Sequence, residues 1–327
     1  LARQTWNSIG EGASRLAIVA ADQQDLLKKL DNALKHLAKQ GEASLQTRNG
    51  LYYEPSPIAG KTAFLFPGEM AQYPGMMADA LMAYPEMRGW FDLVAALFAR
   101  QREARLEDVA FPPGNSVGAE GKALLDRLLH SVDYGSEMVF AADQAVFGLL
   151  RSLGIRPDGL LGHSTGEIAA IVASGWFAMS PAEIGETIRR MNVVFNAVNS
   201  SGEVPSGRLL TVAGLDREQF LAAFGKFTQL HFTMDNCPNQ AIVFGPEDEI
   251  AAMEAEVVAK GAICTRLPIS WGYHTDYVAP MAKGFDRLFT DFRMAPTPVE
   301  IWSCATAQPF PRERKAFGDI AVSQYVS

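Results

Sequence analysis

A chain of 327 residues is longer than a single hydrophobic core usually serves, so two or more domains are expected. Its 48% hydrophobic and 20% charged residues are those of an ordinary globular protein, no apolar run is long enough to span a membrane, and a net charge of −8 speaks against a nucleic acid or an anionic membrane as partner. Cys237, Cys264 and Cys304 are odd in number and widely spaced, which predicts neither a disulfide framework nor a metal cluster and places the chain in the reducing cytoplasm. No signal-peptide pattern is visible, and a chain opening on Leu1 rather than Met reads as part of something longer.

Residues 1–60 read as a small leading unit. Arg15 to Ala20 is a strand candidate. Asp22 can cap a following helix that carries Leu26, Leu27, Leu30, Leu34 and Leu37 at helical spacing. A connection with a short strand at Leu51–Tyr53 follows. Lys61 to Phe66 is a buried-strand candidate, and it runs directly into the turn Pro67-Gly68-Glu69-Met70-Ala71-Gln72. In an α/β sheet such a turn faces the site at the carboxyl ends of the strands. Residues 77–155 are mostly helical, with amphipathic runs around Tyr84–Gln101, Gly121–His130 and Glu137–Leu153 and a Pro/Gly loop from Phe111 to Ala119.

Gly159-Leu160-Leu161 then leads into Gly162-His163-Ser164-Thr165-Gly166, and Glu167 to Ala173 continues as a helix. A G-x-S-x-G between strand and helix is the pattern of a nucleophile elbow. The glycines allow a sharp turn without Cβ clashes, the turn pushes the Ser164 hydroxyl outward, and the first N–H groups of the new helix are free to hold an oxyanion. A second helix starts at Ser180-Pro181 and carries Arg189 and Arg190, a pair whose ordinary reading is a solvated face.

From residue 200 to 269 the pattern is strand, helix, strand, strand, helix, strand, a ferredoxin-like βαββαβ unit read as an insertion. The chain returns to the main sheet at Ser270-Trp271-Gly272-Tyr273-His274. The charged run Pro311 to Lys315 reads as a solvated loop. The fold class is therefore α/β: a leading unit over 1–60, a core over 61–199 and 270–327 with a parallel sheet, and the inserted subdomain over 200–269.

A serine hydroxyl needs a base. Of the five histidines, His36, His130 and His231 stand without a companion motif, and His163 should leave the elbow in another direction for a packing role. His274 lies in a loop after a strand, where catalytic groups concentrate, and is the best candidate. The acids between Ser164 and His274 that can be placed fall in the inserted unit. A Ser–His dyad oriented by a backbone carbonyl is therefore expected in place of a triad.

These residues resemble the acyltransferase domains of type I polyketide and fatty acid synthases and the malonyl-CoA:acyl carrier protein transacylases. Pro67 to Gln72 looks like the family's PGQGSQ, Gly162 to Glu167 matches GHSxGE, Asn236-Cys237-Pro238 resembles N-x-P, and Tyr273-His274 to Pro280-Met281 resembles the histidine segment. The resemblance covers about residues 10–327 and implies a hydrolase-like α/β core with a ferredoxin-like insert. It implies that Ser164 attacks malonyl-CoA with His274 as base, and that the N–H groups of Glu69 and Thr165 hold the oxyanion. The phosphopantetheine thiol of an acyl carrier protein then takes the acyl group. No bound cofactor or metal is implied. The substrate carboxylate falls to Arg189 by a gapless count, or to Arg190 with one inserted residue; a guanidinium suits it by bidentate pairing. The Gln324 carbonyl would orient the histidine, and residues 1–60 look like the linker to a neighbouring ketosynthase domain. Tyr273, with Trp271 in the same four-residue segment, would set acyl selectivity, an aromatic wall favouring malonyl over methylmalonyl. Two positions depart from the family pattern: Glu69 replaces the usual Gln, as in enediyne-type and related iterative synthases, and Ser136-Glu137 replaces Gln-Pro. The competing functions are a serine hydrolase or thioesterase, and a non-catalytic docking domain of a megasynthase.

Overall fold

Strand and helix positions follow the hydrophobic periodicity closely, and the departures from it have local causes. The computed structural model describes residues 4, 5, 8–10, 12, 14–41, 43–98, 102–114, 117–285 and 293–325. Gln101, the end of one expected helical run, lies outside them. Contacts divide the chain into two units, Leu1–Lys61 and Thr62–Ser327.

The first unit contains β1 (Arg15–Ile18), α1 (Gln23–Gln40), β2 (Leu45–Gln46) and β3 (Leu51–Glu54), with the strands in the antiparallel order β1-β3-β2. The Asp22 carboxylate accepts the N–H of Asp25 at 2.8 Å and so caps α1. The helix buries a different stripe from the one its leucines predict. Lys29 and Ala33 are buried, whereas Leu27 and Leu34 are exposed. The Lys29 ammonium explains this phase, since it donates to the Val19 carbonyl at 2.7 Å and to Asp25 at 2.6 Å.

The second unit starts with β4 (Ala63–Phe66). Five helices follow: α2 (Ala78–Ala83), α3 (Arg88–Phe98), α4 (Leu106–Ala110), α5 (Ala119–Leu129) and α6 (Val132–Ser152). Then come β5 (Gly159–Gly162), α7 (Gly166–Ser174) and α8 (Pro181–Ser200), the last opened by a capping box between Ser180 and Glu183. The inserted elements are β6 (Arg208–Ala213), α9 (Arg217–Phe224), β7 (His231–Cys237), β8 (Gln240–Gly245), α10 (Glu247–Val258) and β9 (Ile263–Arg266). The chain returns through α11 (Ala279–Phe285), β10 (Glu300–Trp302) and α12 (Arg314–Ser323).

The core sheet has β5 at its centre, with β4 and β10 parallel to it on either side. All three carboxyl ends therefore meet at one edge, where Pro67, His163 and Ser303 begin their loops. The inserted strands form an antiparallel sheet in the order β7-β8-β6-β9. Period-2 alternation gives this sheet two faces. Leu210, Val212, Ala241 and Val243 pack with Phe220, Ile250 and Met253 of α9 and α10. Leu209, Ile242 and Phe244 face the other way, against Ile269, Met70 and Tyr273. The insertion thus lays one apolar sheet face over the turn after β4 and the segment carrying His274. The molecule is α/β, a hydrolase-like core with a parallel sheet and a ferredoxin-like insert.

The run at 311–315 is the expected loop only as far as residue 313; Arg314 and Lys315 already belong to α12. Glu313 accepts the N–H groups of Lys315 and Ala316 at 2.9 and 2.7 Å and caps α12, on which Lys315 pairs with Asp319 one turn on. These charges are exposed, as expected, and also build a helix start.

Candidate active site

The nucleophile position is set by β5 running into α7. Ser164 has φ +53°, a left-handed conformation that costs a non-glycine residue free energy and persists only where its surroundings enforce it. The flanking glycines are required for space. A Cβ on Gly162 would lie 2.2 Å from the Glu167 nitrogen, and one on Gly166 would lie 2.3 Å from the Phe66 carbonyl oxygen. Ser164 Oγ is 2.9 Å from His274 Nε2. His274 Nδ1 in turn lies 2.5 Å from the Gln324 carbonyl oxygen, which accepts its proton and leaves Nε2 as the acceptor facing serine. His274 also has a left-handed φ of +55°. Burial holds its pKa below the ordinary 6.5, against the opposing effect of the Gln324 carbonyl.

Glu167 and Cys304 hold the elbow in place. The buried Glu167 carboxylate accepts the Cys304 N–H at 2.8 Å, tying α7 to the loop after β10. Burial pushes its pKa up to about 7. His163 leaves the elbow in a different direction from Ser164, but it is exposed rather than packed; its Nε2 donates to Asn236 Oδ1 of β7 at 2.7 Å. This bond ties the elbow to the insertion. It also gives Asn236 a structural task that its place in an N-x-P segment did not indicate.

The Glu69 N–H donates to the Thr165 hydroxyl at 2.8 Å. The two residues expected to frame the oxyanion are thus adjacent, with the Thr165 side chain occupying the Glu69 donor. The Glu69 carboxyl points inward beside the hydroxyls of Tyr273 and Ser136. Burial pushes it up to about 7, the two hydroxyls oppose that rise, and Asp133 adds to it.

A cavity of about 230 Å³ opens beside Ser164 and His274, lined among others by Glu69, Ser136, Thr165, Met191, Asn192 and Tyr273. A second, wider one of about 710 Å³ meets the pair from the side of β4 and β5 and reaches Asn236, Cys304 and Gln324. Tyr273 lines the smaller cavity. Trp271 does not; it stacks on Phe195 with ring centroids 4.7 Å apart and backs the wall.

Neither of the two arginines expected to anchor a carboxylate is among the described residues lining this cavity. Arg189 is exposed on α8 and forms a bidentate pair with Glu186 one turn back, at 2.6 to 2.9 Å. Arg190 is half-buried and is not among the residues lining the cavity. The reason is helix phase. At about 100° per residue, Met191 faces the cavity while Arg189 lies on the opposite side of α8. The signal that finds this is the capping box at Ser180, which fixes the helix start independently of any gapless count from the serine.

Among the described residues no helix is long and apolar enough to cross a membrane, and no group of three or more His, Cys, Asp or Glu side chains can hold a metal ion.

A serine–histidine pair at the carboxyl edge of a parallel sheet, under a ferredoxin-like insert, defines an α/β acyltransferase. Residues 63–327 match the acyl transferase domain family, and the chain belongs to that family. It is 24% identical over 305 residues to the mycoketide-CoA synthase of Mycobacterium tuberculosis, covering 93% of this chain and 7% of that protein. It is 25% identical over 274 residues to the phenolphthiocerol synthesis polyketide synthase Pks15/1 of Mycobacterium marinum, covering 84% of this chain and 12% of that one. The chain thus spans a small fraction of these relatives. Among solved structures it is similar to the acyltransferase domain of the second module of the salinomycin polyketide synthase, with TM-score 0.67 and 25% identity over 96% of this chain and 66% of that one. A malonyl-transacylase in complex with the type II acyl-carrier protein AntF has TM-score 0.67 at 18% identity, covering 82% of each chain. The transacylase of Coxiella burnetii has TM-score 0.66 at 20% identity, covering 81% of this chain and 79% of that one. These last two likenesses are of fold.

Proposed function

We propose that this domain moves an acyl group from a coenzyme A thioester to the phosphopantetheine thiol of an acyl carrier protein, through an ester on Ser164, as one part of a polyketide or fatty acid synthase. The observation that carries the reading is the chain of contacts from Ser164 Oγ to His274 Nε2 and from His274 Nδ1 to the Gln324 carbonyl. His274 takes the serine proton as Oγ attacks the thioester carbonyl. The tetrahedral intermediate collapses, the C–S bond breaks, and coenzyme A leaves with the proton that His274 returns. In the second half the carrier thiol gives its proton to His274, sulfur attacks the ester carbonyl, and Ser164 leaves with that proton.

The developing oxyanion would sit between the N–H groups of Glu69 and Thr165 once the Thr165 hydroxyl turns aside. The phosphopantetheine belongs to the carrier partner, so the reading needs no resident cofactor. Residues 1–60 would connect to a ketosynthase domain of the same polypeptide, and such assemblies work in the cytoplasm. The transacylases among the structural neighbours make malonyl-CoA the first thioester to test, although neither Arg189 nor Arg190 lines the cavity that would receive its carboxylate.

Intact-mass measurement after incubation with acyl-CoA tests the reading. An acyl adduct is expected on the parent protein and none on Ser164→Ala, because the Ser164 hydroxyl is the one in hydrogen-bond contact with His274. An unchanged adduct on Ser164→Ala overturns it. Addition of carrier protein should discharge the adduct to the carrier; equal loss by hydrolysis with and without carrier would make the domain a thioesterase.

A further inference from the structure

The cavity beside Ser164 carries a second message, about the acyl group it receives. Among the described residues that line it there is no lysine or arginine, and the one carboxyl among them is that of Glu69. Helix α8 offers it Met191, Asn192 and Phe195, and the rest of the wall is largely apolar, with Leu209, Met234 and Ile242 from the insertion. Asn192 does not supply a charge either. Its amide donates at 2.7 Å to the buried Glu137, which also pairs with Arg102 behind the wall.

We propose that this pocket takes an uncharged acyl group, an alkanoyl unit, rather than a dicarboxylic one such as malonyl. The inference rests on the acyl-enzyme reading above and deepens it by naming the substrate class. A malonyl group seated on Ser164 would place its free carboxylate in a space where the described residues offer no cation to meet it, and next to a second carboxyl. Burying an ion costs several kcal/mol unless a paired charge or hydrogen bonds compensate. Of the hydroxyls that line it besides Ser164, those of Ser136 and Tyr273 stand beside Glu69, and the others are those of Thr165, Thr211 and Tyr325. Two carboxyls sharing such a site cannot both ionise freely, so one must hold a proton before a dicarboxylic acyl group can enter. An alkanoyl chain meets none of these costs. It sets methyl and methylene groups against Met191, Phe195 and Leu209, where removing them from water is favourable.

The test is competition. The purified chain is mixed with equimolar acetyl-, butanoyl-, hexanoyl- and malonyl-CoA, and the early adducts are resolved by intact mass. The alkanoyl adducts together are expected to exceed the malonyl adduct by about tenfold or more. Met191→Arg puts a guanidinium on the cavity wall and should raise the malonyl-to-butanoyl ratio by about 10- to 100-fold, the range of one charge-assisted hydrogen bond. Met191→Lys serves as a second variant in case arginine disturbs the fold. Malonyl predominating on the parent chain overturns the inference while leaving the acyl-enzyme reading standing. So does an unchanged ratio in whichever of the two variants is folded by circular dichroism. No adduct with any thioester overturns the acyl-enzyme reading, and the pocket inference with it.

Discussion

A histidine that serves as a base must be unprotonated when the serine is attacked, and here burial biases His274 in that direction. Its pKa lies below the ordinary 6.5 because the charged ring is desolvated, with His163 adding a small repulsion and the Gln324 carbonyl opposing both. Protonation removes the acceptor at Nε2, so acylation should fall on the acid side of that pKa and be flat above it. The single-turnover rate of adduct formation is expected to stay constant from pH 8 down to about 6.5, the unperturbed histidine value, and to decline only below it. A midpoint near pH 7.5 would mean that the protonated ring finds a stabilising partner and that burial does not keep it neutral. At this scale the sequence was informative wherever chemistry depends on local pattern. The elbow serine follows from two glycines and a strand-to-helix change, and the histidine from a loop after a strand. The arginine was illegible because its place depends on helix phase. Two positions along α8 are about 200° apart, enough to separate Met191 on the cavity wall from the exposed Arg189. The bond between the Glu69 N–H and the Thr165 hydroxyl was illegible for a different reason: the partners are 96 residues apart and meet only when β4 and β5 pair.

Between elements, the tightest constraint is the approach of α7 to the end of β4. A Cβ on Gly166 would stand 2.3 Å from the Phe66 carbonyl oxygen and 2.5 Å from that of Pro67, and backbone on both sides leaves nothing flexible to yield. Gly166→Ala must push the elbow away from the turn that carries Glu69. A loss of about 1–3 kcal/mol, the usual range for overpacking, is expected together with a large drop in acylation. Gly148 in α6 is the control. Nothing lies within 4 Å of the Cβ it would gain, and glycine inside a helix costs about 0.5–1 kcal/mol relative to alanine, so Gly148→Ala should hold or raise the unfolding temperature with acylation intact. Equal effects of the two changes would show that the elbow tolerates separation. Elements with a strong period, such as α6, α8 and the six of the insertion, were legible in the sequence to within a few residues. Those without one were not. β10 has only three residues and acquires its identity by pairing with β5, while α12 starts on charges that pattern alone assigns to solvent.

For the molecule as a whole, buried carboxyls set how stability follows pH. Burial raises Glu69 and Glu167 to about 7 and Asp143 to about 8, from ordinary values of 4.5, 4.5 and 3.8. A group whose folded pKa lies above its unfolded one keeps its proton in the folded state while the unfolded chain has already released it. The folded state then binds more protons between about pH 4 and 8, so stability is fully present at the acid end and is lost as pH rises through that window. The net charge of −8 acts in the same direction, since self-repulsion grows as the chain becomes more negative. The unfolding temperature should therefore be higher at pH 5.5 than at pH 8.5. Asp143 separates the two causes. It lies on α6, is only 9% exposed, and its Oδ2 has no hydrogen-bond partner among the described residues. Asp143→Asn keeps the shape and removes the titration. It should raise the unfolding temperature at both pH values, and by a few degrees more at pH 8.5 than at pH 5.5, about what 1 kcal/mol is worth in a domain of this size, so that the difference between the two narrows. Asp92→Asn, on the exposed side of α3, changes the net charge by the same amount without touching a buried group. It should leave the difference between the two pH values nearly unaltered. If Asp92→Asn flattens the pH dependence as much as Asp143→Asn does, general repulsion is the cause and the buried carboxyls are not.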